Sequence, residues 1–357
     1  RIMDDIIDLE LEKIEKIIAK IDSDPESEEV KEAEKHLWEK IYKKSGQGRR
    51  TGVGITAEGD MLAAMGLRYG TEEATEFSEQ VHKTIALEAY RSSVNMAKER
   101  GAFAIYDSER EKNNPFINRL KEADPELYEE MKKYGRRNIA CLTIAPTGTT
   151  SLMTQTTSGI EPVFMPVYKR RRKVNPNDPQ THVDFVDETG DAFEEYIVFH
   201  HKFVEWMTVN GYDPTKRYTQ EEIDKLVEKS PYYKATSNDV DWLMKVKMQG
   251  RIQKWVDHSI SVTINLPNDV DEALVNRLYV EAWRSGCKGC TVYRDGSRSG
   301  VLLSTKKDKK DKKEELPPCK PPTVVEVRPK VLEAEVVRFQ NNKEKWVAFV
   351  GLLDGHP

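Results

Sequence analysis

The chain has 357 residues, 33% of them charged, and its 56 basic and 61 acidic side chains leave a formal charge of -5 at pH 7. That length supports about two domains with sizeable cores and excludes a small stapled fold, while the near-balance of charge excludes a global nucleic-acid surface. No run approaches the roughly 18 apolar residues of a membrane helix and no apolar leader follows a basic head, so no membrane association and a cytoplasmic location are expected.

Residues 1–44 carry apolar positions at helical spacing, Ile14, Ile17, Ile18 and Ile21 among them, and Asp24-Pro25 breaks the pattern into two helices. The chain opens directly in this pattern at Arg1 and stops after a strand-like run at Pro357, so both ends are expected to be cuts within a longer protein. Arg49-Arg50-Thr51-Gly52-Val53-Gly54-Ile55 predicts a short strand, followed by an amphipathic helix over 60–67 and a longer one over 71–100. Gly52-x-Gly54 invites a dinucleotide reading, but the third glycine of that fingerprint is missing; tight strand packing beside an arginine is the plainer account.

A second apolar strand, Asn138 to Ala145, feeds into Pro146-Thr147-Gly148-Thr149-Thr150-Ser151. A phosphate fits such a loop: Pro146 fixes the strand exit, Gly148 admits a close ligand, and four hydroxyls cluster where a helix begins. Ser/Thr/Gly clusters also serve as plain loops or helix caps. His200-His201 reads as helical beside Phe199 and Phe203, and adjacent helical positions do not share a face, so metal binding is not expected there.

A third strand, Ser259 to Leu266, ends at Pro267, and a fourth, Cys290 to Tyr293, ends at Arg294-Asp295-Gly296. Strands separated by long helical stretches argue an α/β layer or barrel. Four cysteines, Cys141, Cys287, Cys290 and Cys319, are too few for a disulfide scaffold. Cys287-Lys288-Gly289-Cys290 allows a redox dithiol, half a zinc site lacking its other ligands, or two ordinary thiols.

From residue 304 the chain turns lysine-dominated and then proline-rich, and 304–322 is expected to be a disordered linker. Interleaved acids argue against a nucleic-acid tract. Beyond it, Val331 to Phe339 and Lys345 to Leu353 predict a hairpin around Asn341-Asn342-Lys343, part of a small β-rich domain over 323–357.

Four segments, taken in order, resemble the C-terminal half of the catalytic chain of ribonucleotide reductases, and in particular the class II, adenosylcobalamin (vitamin B12) dependent branch. They are Arg49 to Ile55 with Gly59-Asp60-Met61-Leu62, Ala145 to Ser151 with Ser158-Gly159-Ile160-Glu161-Pro162, Asp257 to Pro267, and Gly286 to Arg298. The resemblance implies that 1–303 is the C-terminal half of a ten-stranded α/β barrel, with Pro146, Thr147, Gly148, Thr149, Thr150 and Ser151 lying where family members bind the substrate's phosphates. Class I relatives carry a tyrosine pair before the Arg-Asp-Gly turn; here the strand reads Thr291-Val292-Tyr293, with one tyrosine, which resembles class II.

In the mechanism that the resemblance implies, cobalt–carbon cleavage generates a thiyl radical on a barrel cysteine. The thiyl removes the ribose 3'-hydrogen, and a cysteine pair then reduces the nucleotide with loss of the 2'-hydroxyl. The radical cysteine belongs to an Asn-x-Cys-x-Glu loop, and none of the four cysteines here stands in that pattern. The fragment is therefore expected to be inactive alone, to need a missing N-terminal half, and to supply phosphate binding. Cys287, Cys290 and Cys319 are candidate redox thiols, with a thioredoxin-like protein as reductant and a homodimer as the assembly considered. A class I large-chain fragment and a non-catalytic split-gene assembly partner are the alternatives.

Overall fold

The computed structural model describes residues 1–174, 183–186, 192–295, 333–341 and 344–352. They fall into two units, Arg1–Thr305 and Lys306–Pro357.

The first unit opens with α1 (Ile2–Ile21) and α2 (Glu28–Gly48), separated at Asp24-Pro25 as the pattern predicts. Ile7, Ile14 and Ile21 are the buried apolar residues of α1, and Asp4 is buried with them. Burial of a carboxylate requires partners. Asp4 has them in Arg49 Nε at 2.8 Å, Arg137 Nε at 3.1 Å and Asn138 Nδ2 at 3.1 Å, so one acid ties α1 to the start of two strand segments.

Next come α3 (Glu58–Ala64) and α4 (Glu72–Arg100), the latter capped where Thr71 accepts the Ala74 amide. The short helix starts two residues before the predicted 60–67 and ends three before. Helices α5 (Ser108–Glu111), α6 (Pro115–Ala123) and α7 (Pro125–Tyr134) follow. Asn114 and Asp124 cap the last two with proline in the first turn, a start signal present in the sequence but not taken up in its reading. α8 (Gly148–Thr154) then leads to a sheet of β1 (Val167–Val174), β2 (Phe185–Val186) and β3 (Ala192–Phe199) in the order β1-β3-β2, both pairings antiparallel. This sheet was not expected. Its first strand carries the run from Lys169 to Lys173, which hides any apolar alternation; the charges are met across the strands, with Arg171 on Glu195 and Arg172 on Glu194.

Helices α9 (His201–Val209), α10 (Gln220–Lys229) and α11 (Trp242–Gln253) precede β4 (Thr263–Leu266), α12 (Glu272–Arg284) and β5 (Thr291–Arg294). The parallel α/β core is built from four segments side by side. Val53 bridges Leu142, Ile144 bridges Ile260, and β4 pairs with β5 in parallel register from Thr263↔Thr291 to Leu266↔Arg294. The Arg49 to Ile55 segment is thus a bridge rather than a full strand. Its glycines serve close packing: a Cβ on Gly54 would collide with the Thr143 carbonyl oxygen and one on Gly52 with the Thr143 side chain, so the packing account of Gly52-x-Gly54 holds.

One apolar core lies among α3, α4, α6, α7, α11 and the strand segments, centred on residues such as Leu62, Tyr90, Val94, Leu142 and Ile252. A second, around Phe203, Met207 and Tyr232, packs α9 and α10 near the start of β1. A third joins Val246 of α11, Ile264 and Leu266 of β4 and Leu278 of α12, with Cys287 and Cys290 against it.

In the second unit, β6 (Glu333–Asn341) and β7 (Glu344–Leu352) pair antiparallel with Phe339 opposite Trp346. The linker expected over 304–322, with Cys319, lies outside the described residues, as do 323–332.

Among the described residues no helix is long and apolar enough to cross a membrane.

Candidate functional site

The strand segment ending at Ala145 hands the chain to Pro146 and Thr147, and α8 begins at Gly148. Thr147 takes the left-handed conformation, φ 49°, whereas Gly148 does not. A threonine therefore holds the left-handed position that glycine more often takes. A Cβ on Gly148 meets nothing within 4 Å. Its value to the site is the open space above the backbone.

The hydroxyls divide into committed and open ones. Thr147 Oγ1 accepts the Gly159 amide at 2.8 Å and lies 3.1 Å from Thr56 Oγ1. Thr56 donates its one hydrogen to the Thr157 carbonyl at 3.0 Å, so Thr147 is the donor to Thr56. Ser151 donates to the Gly148 carbonyl at 2.9 Å, which makes Ser158 the donor in the 2.6 Å contact between their hydroxyls. The Ser151 amide is also engaged, donating to the Thr147 carbonyl at 2.8 Å. The amides of Gly148, Thr149 and Thr150 and the hydroxyls of Thr149 and Thr150 have no partner among the described residues, and all three residues are exposed. First-turn amides of a helix have no intrahelical acceptor. Of the six residues singled out in the loop, Gly148 to Thr150 present open donors, while Pro146, Thr147 and Ser151 shape the backbone beneath them.

The return segment is held as firmly. Asp60 on α3 accepts the Thr157 amide on Oδ2 at 2.8 Å, and on Oδ1 the Tyr232 hydroxyl at 2.9 Å and His200 Nε2 at 2.8 Å. Facing a carboxylate, the imidazole nitrogen is the donor. Burial, then the Asp60 charge, pushes Tyr232 far above the usual phenol range, so it stays protonated as a donor. The Ala57 amide donates to the Thr157 carbonyl at 2.9 Å, and the Glu58 amide to the Gly159 carbonyl at 3.2 Å. Gly159 has φ +50°, and a Cβ there meets the Ala145 carbonyl oxygen at 3.1 Å, so the return segment lies directly under the strand exit.

The sequence pattern placed His200 inside a helix and gave it no partner. It stands at the N-cap position of α9, at the end of β3, without capping it through its side chain, and its partner stands 140 residues away. His201, the next residue, points instead to Glu205 at 3.6 Å.

The cysteines are not gathered at this loop. Cys141, Cys287 and Cys290 are free thiols, with Cys141 buried. Burial pushes Cys141 up to about 12 and Cys287 up to about 11, and raises Cys290 against the opposing pull of Lys245. Such thiols are almost wholly protonated at neutral pH, the reverse of a primed nucleophile. Cys287 Sγ rests 3.8 Å from the Val246 carbonyl oxygen. Among the described residues no set of three His, Cys, Asp or Glu at metal-holding distance includes a cysteine.

Two family descriptions match the chain: "Ribonucleotide reductase, barrel domain" over residues 25–293, and "NrdJ homologue C-terminal domain" over 332–357. The chain is 30% identical over 264 residues to a vitamin B12-dependent ribonucleoside-diphosphate reductase of Mycobacterium tuberculosis, covering 72% of this chain and 33% of that protein. It is 30% identical over 292 residues to the protein of the same name in Thermoplasma acidophilum, covering 81% and 34%. It thus spans about a third of the length of these relatives. Among solved structures, the class Id ribonucleotide reductase alpha subunit of Actinobacillus ureae superposes with a TM-score of 0.48 at 16% identity, covering 71% of this chain and 41% of that one.

Proposed function

The chain belongs to the ribonucleotide reductase barrel-domain family, and from that membership we propose that it is the C-terminal part of a catalytic chain that reduces ribonucleotides, with Gly148 to Thr150 receiving the substrate's phosphates. The observation that carries the reading is the run of three open amides and two open hydroxyls at 148–150, on a backbone fixed from below by Thr147, Ser151 and Asp60. Successive amides without a protein acceptor suit an anion, and hydroxyls add further donors.

In the overall reaction the ribose 2'-hydroxyl leaves as water while a dithiol is oxidised to a disulfide. This chain's part is to hold the phosphates and so orient the ribose. The radical-bearing cysteine, absent from the cysteine contexts here, is assigned to the portion of the relatives' length that the chain does not span. The relatives' names point to ribonucleoside diphosphates as substrate and to vitamin B12 as cofactor. Adenosylcobalamin supplies the initiating radical when bound. Clefts of about 560 Å³, beside Arg68, Trp242 and Arg277, and about 440 Å³, beside Glu73, Phe77 and Arg251, occur on the described residues. Both are small for a corrinoid, and neither borders the loop. A thioredoxin-like reductant, a homodimer and a cytoplasmic setting complete the proposal, and the single Tyr293 before the Arg294-Asp295 turn favours class II over class I.

Calorimetric titration of ADP or CDP into the chain tests the loop. Wild type should bind and Gly148→Val, which fills the open space above the backbone, should bind at least about tenfold more weakly, a loss of about 1.4 kcal/mol. Equal affinity for the two proteins would overturn the assignment.

A further inference from the structure

We infer that Asp60 is a positioning residue for the loop, and that His200 and Tyr232 act through it to fix where the open amides of 148–150 stand. The inference rests on the phosphate-loop reading above.

Asp60 is the point at which four separate parts of the chain converge. It belongs to α3, its Oδ2 receives the Thr157 amide from the segment after α8, and its Oδ1 receives His200 from the β3–α9 junction and Tyr232 from the turn after α10. The Asp60 amide in turn lies 3.3 Å from Thr157 Oγ1, so the two residues grip each other from both sides. Asp60 is only 6% exposed. A buried carboxylate is retained when every lone pair that faces protein has a donor, and three donors on two oxygens meet that demand.

The consequence reaches the loop in three steps. Asp60 fixes Thr157; the Thr157 carbonyl receives Thr56 Oγ1 and the Ala57 amide; and Gly159, two residues on, gives its amide to Thr147, the residue whose left-handed backbone opens α8. Each connection is a short, buried or half-buried hydrogen bond, so displacement of Thr157 is transmitted rather than absorbed. His200 and Tyr232 touch no part of 146–151 in these bonds. Their effect passes through the Asp60 carboxylate, which they orient by occupying one oxygen and leaving the other for Thr157.

The test uses the purified chain with two readouts, amide exchange over 155–160 and calorimetric affinity for ADP, on Asp60→Ala, Asp60→Asn, His200→Ala and His200→Gln. Glutamine places an amide N–H close to where the imidazole Nε2–H stands, so His200→Gln should keep wild-type affinity and exchange. His200→Ala should weaken ADP binding about fivefold and Asp60→Ala more than about tenfold, with exchange over 155–160 accelerated and α4 unchanged. Asp60→Asn, which retains one acceptor, should fall between. If Asp60→Ala does not fold, the two His200 variants decide alone. Unchanged exchange and affinity in His200→Ala, or an equal loss in His200→Gln, overturns the positioning role. Failure of wild type to bind ADP removes the phosphate reading instead, and acceleration confined to 155–160 still measures the clamp.

Discussion

The Thr147 hydroxyl accepts the Gly159 amide at 2.8 Å and so ties the residue that enters the loop to one twelve positions later. Thr147→Val keeps the branched shape and removes the acceptor. Losing it leaves the buried Gly159 donor unsatisfied, so the variant should be destabilised by about 1 to 3 kcal/mol. Gly148→Ala, by contrast, adds a methyl to open space within a helix and should be neutral or stabilising by up to about 1 kcal/mol. Urea denaturation followed by tryptophan fluorescence ranks them. A Gly148→Ala protein less stable than Thr147→Val would contradict the assignment of which residue carries the strained backbone.

The isolated chain, given adenosylcobalamin, dithiothreitol and a ribonucleoside diphosphate, should form no deoxyribonucleotide, because none of its cysteines stands in the radical-loop pattern. Turnover above the protein-free control would refute the division of labour proposed for the two parts of the enzyme.

Cys287 and Cys290 should behave as packing thiols. With Cys287 raised to about 11 by burial, its alkylation by iodoacetamide should be slow at neutral pH and climb about tenfold per pH unit toward that value. Mass spectrometry of timed samples reads both sites. Rapid labelling of either cysteine at pH 7 would instead mark a primed thiol.

Lys245 is buried on α11, with Nζ 2.6 Å from the Thr263 carbonyl oxygen, and desolvation lowers it to about 8. A depressed ammonium contributes stability that is present above its unfolded value of 10.5 and lost as pH falls through about 8. Wild type should therefore gain stability from pH 8 to pH 10 through this group. Each unit of depression corresponds to about 1.4 kcal/mol, so Lys245→Met should be more stable at pH 7 by about 1 to 2 kcal/mol after the lost hydrogen bond. Denaturation midpoints across that range check both statements, and a Lys245→Met protein weaker at pH 7 would reverse the sign.

Glu58 titrates in the opposite sense. It is completely buried on α3, and desolvation raises its carboxyl above the usual range, with His82 and Ser78 pulling it back only in part. A raised acid contributes stability that is full below the ordinary carboxyl range and lost as pH rises through the elevated value. Glu58→Gln keeps the shape without the titration. It should match wild type in acid and exceed it at pH 8; a pH-independent difference between the two would show that Glu58 is ionised throughout.

Helix-forming information is local, and the sequence alone determined most of it: the α1–α2 break at Asp24-Pro25, the long helix α4 close to the expected 71–100, and the chain order of the four strand segments. Close packing at Gly52-x-Gly54 was legible because the alternative motif lacked a residue. The loop at 146–151 stood out by composition. What the composition did not hold was which of its hydroxyls remain free, because that depends on Thr56, Ser158 and Gly159 arriving from elsewhere in the chain. Nothing local marks Thr147 as the left-handed residue; its hydroxyl's bonds to Thr56 and Gly159 come from the folded chain. The β1-β3-β2 sheet was missed since its charges are satisfied across strands, by a register that no single strand encodes. His200 and Asp60 met only when the chain closed over 140 residues. Hydrogen bonds within a helix span four residues and leave a periodic trace in sequence, whereas the Asp60 bonds to Thr157, His200 and Tyr232 join residues 97, 140 and 172 apart and leave none.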